Sequence, residues 1–361
     1  MKFKTEIKVI DGNPDLSFLL SENKKLFVTD ENIFALKSLE KFFKNFSVLN
    51  KINSGNTQAS LYSNKNNALI VIPAGEKYKT IDTVLAIIKA ALAFSLTRKD
   101  IFTAIGGGVI TDLTAFASSI YKRGAKVEFV STTLLGMCDA AIGGKTGCDF
   151  EDYKNIAGTF FPADRLYVFP EFVKSLSDKE YISGLAEVIK TALLFDKKLF
   201  NLLETQKEKV LSRDSEVIYK MISLCVKAKT KIVKKDLTEK KERMLLNLGH
   251  TFGHALESRA GLGVLTHGEC VAWGTCRALD LSQKLGLCSY DYFERVKKVS
   301  ASYGYETDVV HKAFTDSKAI LETMKNDKKN SSSKIRVILQ RGLCKNIITE
   351  IEDEKILEAL I

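Results

Sequence analysis

The hydrophobic and polar positions of this 361-residue chain follow two different rhythms. In the first half, short β-branched runs alternate with stretches at 80–94 and 112–121 whose apolar residues recur every three and four positions. The runs are Lys25-Leu-Phe-Val-Thr29, Ala68-Leu-Ile-Val-Ile-Pro73, Ile101-Phe-Thr-Ala-Ile105 and Lys126-Val-Glu-Phe-Val130. Strands alternating with crossover helices predict an α/β domain with a doubly wound, Rossmann-like parallel sheet over 1–170. From about Pro170 the runs give way to longer helical patterns at 178–195, 216–233, 253–260 and 269–285. These predict a mainly α-helical domain over 171–361. Two of the four prolines, Pro162 and Pro170, bracket the last short apolar run, Leu166-Tyr-Val-Phe169, and mark the boundary. A single late strand is expected at 335–339, after the polar run 328–334, and no internal repeat is evident.

Composition narrows the class. Hydrophobic residues at 45% and charged residues at 27% are ordinary for a folded globular protein. The charged start, without an apolar core and cleavage site, and the lack of any membrane-length apolar run predict a cytoplasmic protein without a membrane partner. Seven cysteines without a CxxC pair argue against a disulfide framework or a cysteine-rich zinc knuckle. The net charge of +10 is spread over amphipathic segments and is not interleaved with aromatics, which disfavours nucleic acid as a partner and leaves steering of an anionic substrate as one use for it.

Chemistry concentrates late in the chain, where Leu246-Asn-Leu-Gly-His250-Thr-Phe-Gly-His254 and Thr266-His267-Gly-Glu269 hold three of the four histidines. On a helix, His250 and His254 share a face, which makes a metal the obvious partner. A catalytic metal wants about three protein ligands and an open position, so His267 and a carboxylate are needed as well. The bland alternative, three separately hydrogen-bonded core histidines, is weakened by their crowding on one glycine-punctuated segment. Gly184-Leu-Ala-Glu187-Val-Ile-Lys190 sets a carboxylate and an ammonium one turn apart in an apolar helix. They are an exposed ion pair, or Glu187 is the missing ligand. By charge alone Lys229, Glu239 and Arg243 would lie at the surface.

In the first half, a strand runs into Gly106-Gly-Gly-Val-Ile-Thr-Asp112 and then a helix, the arrangement that bares backbone amides to a pyrophosphate. The spacing differs from the dinucleotide fingerprint, and a purely structural tight turn accounts for it as well. Gly143-Gly-Lys145-Thr146 resembles the end of a Walker loop, but Asp139 stands where that loop needs glycine, which disfavours a nucleotide triphosphatase. What remains, with Lys154-Asn155 following, suits a phosphate or a carboxylate.

Taken in order, these blocks resemble the 3-dehydroquinate synthases, members of the sugar-phosphate cyclase family, related in fold to the glycerol and iron-type alcohol dehydrogenases. The likeness begins at Gly75-Glu76-Lys-Tyr-Lys79 and continues through the 106–112 turn, Tyr121-Lys-Arg123-Gly, Thr132-Thr-Leu-Leu135, 139–147, Lys154-Asn155 and Ala186-Glu-Val-Ile-Lys190. It ends with the two histidine blocks and covers most of the chain. It implies NAD+ on the first domain, with Asp30, Glu76, Lys79, Gly107, Gly108, Val109, Asp112, Thr132, Thr133, Leu135, Asp139 and Lys154 around it. It implies a divalent metal, zinc or cobalt, held by Glu187, His250 and His267. His254 then belongs to the substrate pocket and is not a ligand.

The implied substrate is 3-deoxy-D-arabino-heptulosonate 7-phosphate. Lys145, Asn155, Asn247, His254 and Lys328 would surround its phosphate end, with Arg123 of the partner subunit in a homodimer. Arg243 and Lys145 would take the carboxylate, while Asp139, Lys190, Lys229, Glu239 and Asn247 would address hydroxyls or link these groups. The resemblance makes Lys145, Lys190, Lys229, Arg243, Asn247 and His254 the catalytic set. The implied reaction is transient oxidation at C5, elimination of phosphate, return of the hydride and intramolecular aldol closure to 3-dehydroquinate.

The chain departs from the usual pattern at Ala140-Ala141, at Cys148-Asp149 and at Leu176-Ser177-Asp-Lys179, where hydroxyl, amide and guanidinium groups are common. Related cyclases for sedoheptulose 7-phosphate or glucose 6-phosphate tend to change the block that is intact here as Gly143-Gly-Lys-Thr-Gly147, and Arg243 is also present. The rival readings are such a cyclase, or a metal-dependent alcohol dehydrogenase that transfers hydride once.

Overall fold

The computed structural model describes residues 2–20, 23–151, 153–261, 263–309, 311, 316–327 and 334–361. Internal contacts divide the chain into two compact units, Met1–Leu176 and Ser177–Ile361.

The first unit is built on an eight-stranded sheet. Its strands are β1 (Glu6–Val9), β2 (Lys25–Asp30), β3 (Ser47–Ser54), β4 (Thr57–Ser63), β5 (Asn67–Ile72), β6 (Ile101–Gly106), β7 (Lys126–Ser131) and, beyond the separate hairpin of β8 (Lys145–Phe150) and β9 (Tyr153–Phe160), β10 (Arg165–Val168). The order is β1-β10-β7-β6-β2-β5-β4-β3. From β1 to β5 every pairing is parallel, as the apolar runs predict, whereas β3, β4 and β5 form an antiparallel arm. The arm is invisible in the hydrophobic pattern because β3, Ser-Val-Leu-Asn-Lys-Ile-Asn-Ser, is an edge strand exposed over its first five residues. Central strands show the opposite: β5 is buried at all six positions and β2 at all but its last. Helices α1 (Ile81–Ala93) and α2 (Gly108–Ile120) cover the sheet, α1 capped by the Thr80 side chain, which accepts from the Thr83 amide. Helix α2 begins four residues before the apolar periodicity does, since its first turn is made of the glycine block itself.

The second unit is mainly helical. Its longer helices are α3 (Asp178–Phe195), α4 (Lys197–Thr205), α5 (Ser215–Lys235), α6 (His250–Ala260), α7 (His267–Lys284), α8 (Tyr290–Ser302) and α9 (Ser317–Asp327). The late strand of the sequence pattern is β11 (Lys334–Gly342), paired antiparallel with β12 (Lys345–Glu352). Helix α7 is the centre of this unit, with fourteen of its eighteen residues buried, among them Trp273 and Arg277. A helix buried nearly all round has no polar face to give it a strong period, yet its start and end lie within two residues of the expected 269–285, whereas α4 was not expected. Among the described residues, no helix is long and apolar enough to cross a membrane.

Candidate active site

In the second unit, three helices meet closely because glycines line their contacts. A Cβ on Gly274 of α7 would lie 2.1 Å from the Gly249 carbonyl oxygen, and one on Gly253 of α6 would lie 2.6 Å from the Cys270 carbonyl oxygen. A Cβ on Gly268 would lie 2.2 Å from the Ser183 carbonyl oxygen of α3. Only hydrogen fits in these places, so the backbones of α6 and α3 can each approach α7. Gly249 adds a left-handed turn, φ +78°, that starts α6 at His250. Thr266 and Glu269 form a reciprocal capping box that starts α7 at His267. The Ser183 hydroxyl accepts from the Gly268 amide at 3.1 Å, pinning that start to α3.

The result brings Glu187, His250 and His267 together. Their donor atoms all lie within 4.8 Å of one another. Glu187 Oε1 faces His267 Nε2 at 3.4 Å and His250 Nε2 at 3.7 Å. The carboxylate is 1% exposed, and neither oxygen has a well-formed hydrogen bond; its other oxygen forms an ion pair with Lys190, itself 2% exposed. The exposed-pair alternative for Glu187 and Lys190 is thereby corrected: the helix is apolar on nearly every side and takes both charges inward. Burial raises the pKa of Glu187, but the Lys190 ammonium and the two imidazoles outweigh it and hold the carboxyl well below its usual range. Burial, reinforced by Lys190, pushes His250 well below its usual value. His250 Nδ1 lies 3.2 Å from the Leu248 carbonyl oxygen, which can only accept, so Nδ1 carries the proton and Nε2 presents its lone pair. Burial lowers His267, yet the Glu187 contact outweighs it and holds its pKa above the usual value. An ionised carboxylate and neutral imidazoles are the states a divalent cation requires; Glu187 and His250 already favour them, whereas His267 must give up its proton to a cation.

His254 lies beside this group, its ring centroid 5.1 Å from that of His250 and 6.3 Å from that of His267, but it is exposed. The expectation that charge alone would leave Lys229 and Arg243 at the surface is corrected, since both are buried. Arg243 sits in the turn Glu242–Asn247, where Nη1 donates to the Leu237 carbonyl at 2.5 Å and the backbone amide donates to Asp236 at 3.1 Å. Asn247 Nδ2 donates to Glu239 Oε1 at 2.7 Å, so these candidates brace one another. Lys229 is on the buried face of α5.

In the first unit, the glycine block joins β6 to α2, with Gly107 as the helix cap. A Cβ on Gly107 would lie 2.8 Å from the Thr133 side chain, and one on Gly106 would lie 2.6 Å from Ile110. The Thr132 amide donates to the Gly106 carbonyl at 3.0 Å, and the Gly136 amide to Thr133 Oγ1 at 3.1 Å, so Gly107, Gly108, Val109, Thr132, Thr133 and Leu135 lie on two adjoining turns. Thr132 Oγ1 is buried without a hydrogen bond. Lys79 forms an ion pair with Asp112 at 2.8 Å and donates to Asn155 Oδ1 at 2.6 Å. Burial pushes Asp112 up to about 6 against the pull of Lys79. Burial would lower Lys79, but Asp112 holds it above the usual lysine value.

The other candidates are more dispersed. Asp30 caps the turn after β2 by accepting from the Ile33 amide at 2.9 Å, Glu76 is exposed, and Asp139 lies in the turn Gly136–Ala140. Lys145, Lys154 and Asn155 are exposed on the β8–β9 hairpin, and Arg123 is exposed at a left-handed φ of +65°. Lys328 lies outside the described residues.

Two departures from the family pattern have structural uses. Asp149 accepts from the Asn155 amide at 2.7 Å, a contact an asparagine oxygen would make equally well, and Ser177 caps α3 by accepting from the Glu180 amide at 3.2 Å. The positioning roles of Ser183 and Gly268 were not inferred from sequence. The capping box is written in the sequence as Thr266-x-x-Glu269, a signal that places a helix start at His267.

A Rossmann-like unit with a glycine turn, followed by a helical unit that buries one carboxylate against two imidazoles, is the arrangement of a dinucleotide- and metal-dependent enzyme. Residues 69–183 match the family model of the 3-dehydroquinate synthase N-terminal region, and 184–330 match that of the C-terminal region. The chain is 38% identical to the 3-dehydroquinate synthase of Dictyoglomus turgidum over 81% of each chain, and 34% identical to that of Shewanella pealeana over 91% of this chain and 94% of the other. Among solved structures it is similar to a 2-epi-5-epi-valiolone synthase from Streptomyces hygroscopicus subsp. jinggangensis with NAD+ and Zn2+ bound. The TM-score is 0.85 at 27% identity, covering 100% of this chain and 96% of that one. An iron-containing alcohol dehydrogenase shares the fold at a TM-score of 0.63 and 15% identity, covering 99% and 98%. The chain belongs to the 3-dehydroquinate synthase family, and the activity its members are named for is its own.

Proposed function

We infer that this enzyme converts 3-deoxy-D-arabino-heptulosonate 7-phosphate to 3-dehydroquinate and phosphate, with NAD+ and a divalent metal, zinc or cobalt, as cofactors. The observation that carries the reading is Glu187: a fully buried carboxylate whose Oε1 is aimed at two imidazole nitrogens without a well-formed hydrogen bond, Lys190 engaging its other oxygen. A cation supplies what is missing, and one carboxylate with two imidazoles is a common catalytic zinc set. Glu187, His250 and His267 would hold it. The glycine turn fits NAD+ in the same way, since the first amides of α2 have no partner within the helix and a side chain at Gly107 would crowd Thr133. When bound, the two groups supply a hydride acceptor that can return what it takes and a Lewis acid for the oxygen undergoing oxidation.

The chain's own residues would do the rest. Asp30, Glu76, Lys79, Gly107, Gly108, Val109, Asp112, Thr132, Thr133, Leu135, Asp139 and Lys154 are the proposed dinucleotide contacts. Lys145, Asn155, Asn247, His254 and Lys328, with Arg123 of the partner subunit in a homodimer, would take the phosphate, and Arg243 with Lys145 the carboxylate. Lys190, Lys229, Glu239 and Asn247 would orient hydroxyls and stabilise enolate-like charge. Braced through Leu237 and Asp236, Arg243 is held ready to receive an anion with little rearrangement.

Phosphate release from the heptulosonate, measured with and without NAD+ and chelator, tests this. The reading expects release that depends on both cofactors without net accumulation of NADH. Phosphate released from sedoheptulose 7-phosphate alone would remove the carboxylate role of Arg243, and stoichiometric NADH would favour the dehydrogenase. The valiolone synthase likeness makes the first comparison necessary.

A further inference from the structure

We propose that His254, Glu257 and His267 form a second divalent-cation site, which shares His267 with the first: with both ions bound, His267 bridges them as an imidazolate, one nitrogen to each, its remaining ring proton released to solvent as the second ion binds. His254 and Glu257 are three residues apart on α6 and so lie on one face of it, and the donor atoms of the three residues all come within 4.8 Å of one another. Two imidazoles and a carboxylate are again a donor set suited to zinc or cobalt.

The two sites differ in burial. Glu187 is sealed from solvent, whereas His254 is exposed and Glu257 half-buried. Solvated donors lose more hydration and more side-chain freedom on binding than donors already desolvated and fixed, so the second site holds its ion more weakly and exchanges it faster. It fills only when metal exceeds one ion per chain. This inference rests on the proposed function for its consequence. An ion held by His254 removes that imidazole from the phosphate end of the substrate and draws on His267, so excess zinc inhibits the enzyme that one equivalent of zinc activates.

The test uses full-length enzyme with NAD+, titrated with zinc. Bound metal is read by equilibrium dialysis and turnover by phosphate release, in the wild type and in Glu257→Gln, which keeps size and removes the anionic donor. The expected result is a second ion per chain in the wild type, inhibition as that ion binds, and in Glu257→Gln the loss of the second ion and a rise of at least about tenfold in the inhibitory zinc concentration, equivalent to ~1.4 kcal/mol. Activity of the variant at one equivalent of zinc stays as in the wild type. A wild type that stops at one ion, or a Glu257→Gln enzyme that binds and is inhibited by a second ion as the wild type is, overturns the proposal. Glu187→Gln separates the two readings: if it keeps its tightly held ion, the first site is misassigned, while the dependence of the weaker ion on Glu257 is still read directly.

Discussion

Both units put glycine at the candidate site, but for different neighbours. In the first unit, the missing Cβ atoms of Gly106 and Gly107 would meet the side chains of Ile110 and Thr133; in the second, those of Gly253, Gly268 and Gly274 would meet backbone carbonyls of other segments. The Thr133 methyl beside Gly107 can rotate away at modest cost, whereas the Ile110 Cβ beside Gly106 is fixed to its helix, and a carbonyl likewise moves only if its helix does. Gly107 in the first unit therefore leaves room beside a turn, while in the second unit Gly253, Gly268 and Gly274 set how near whole helices can come. The metal-ligand candidates depend on the second kind, because Glu187, His250 and His267 sit on three helices.

The comparison can be broken at several points. The largest effect is expected from His267→Ala, which removes one of three proposed ligands; it should lower turnover by about a thousandfold or more and abolish metal retention, with helix content preserved. Elemental analysis after gel filtration, with circular dichroism, checks this, and full metal content would show that His267 is not a ligand. Gly274→Ala should destabilise the second unit by about 3 kcal/mol and weaken metal binding, because the Gly249 carbonyl must retreat and take His250 with it. Urea unfolding followed through Trp273, the single tryptophan, reports on that unit.

A smaller effect sharpens the account of the first unit. Because the folded-state pKa of Asp112, about 6, lies above the unfolded value near ~3.9, the folded chain holds this proton more tightly. The stabilisation is present below about pH 4 and is lost as pH rises through 6. Wild-type stability relative to Asp112→Asn should thus fall by about 1–2 kcal/mol between pH 4 and 6.5. Hydrogen exchange of α2 amides in the two proteins gives the difference, and a constant difference would contradict the assignment. Least of all, Gly107→Ala should change stability by under ~1 kcal/mol, since Thr133 can yield, while weakening NAD+ binding. A loss of stability as large as that of Gly274→Ala would erase the distinction between the two units.

Much of this was legible in the chain. The strands β2, β5, β6 and β7 lie within a residue of the apolar runs, and α3 spans the residues its periodicity marks. Strands β3 and β4 were not legible because an edge arm satisfies its backbone without an apolar face on every strand. Helix α6 starts at His250, three residues before the expected 253; Gly253 disfavours helix in isolation and is required by the contact with Cys270.

By itself, the sequence determined the alternation of strands and helices in the first unit, the helical character of the second, and the inventory of imidazoles, carboxylates and cations, because these follow from local periodicity and residue chemistry. Only the tertiary structure decided that Glu187 and Lys190 point inward, that Arg243 and Lys229 are buried, and that His267 stands within reach of both Glu187 and Glu257. Those outcomes depend on distances between segments far apart in the chain, and such distances are set by how closely glycine lets helices pack, which no local pattern encodes.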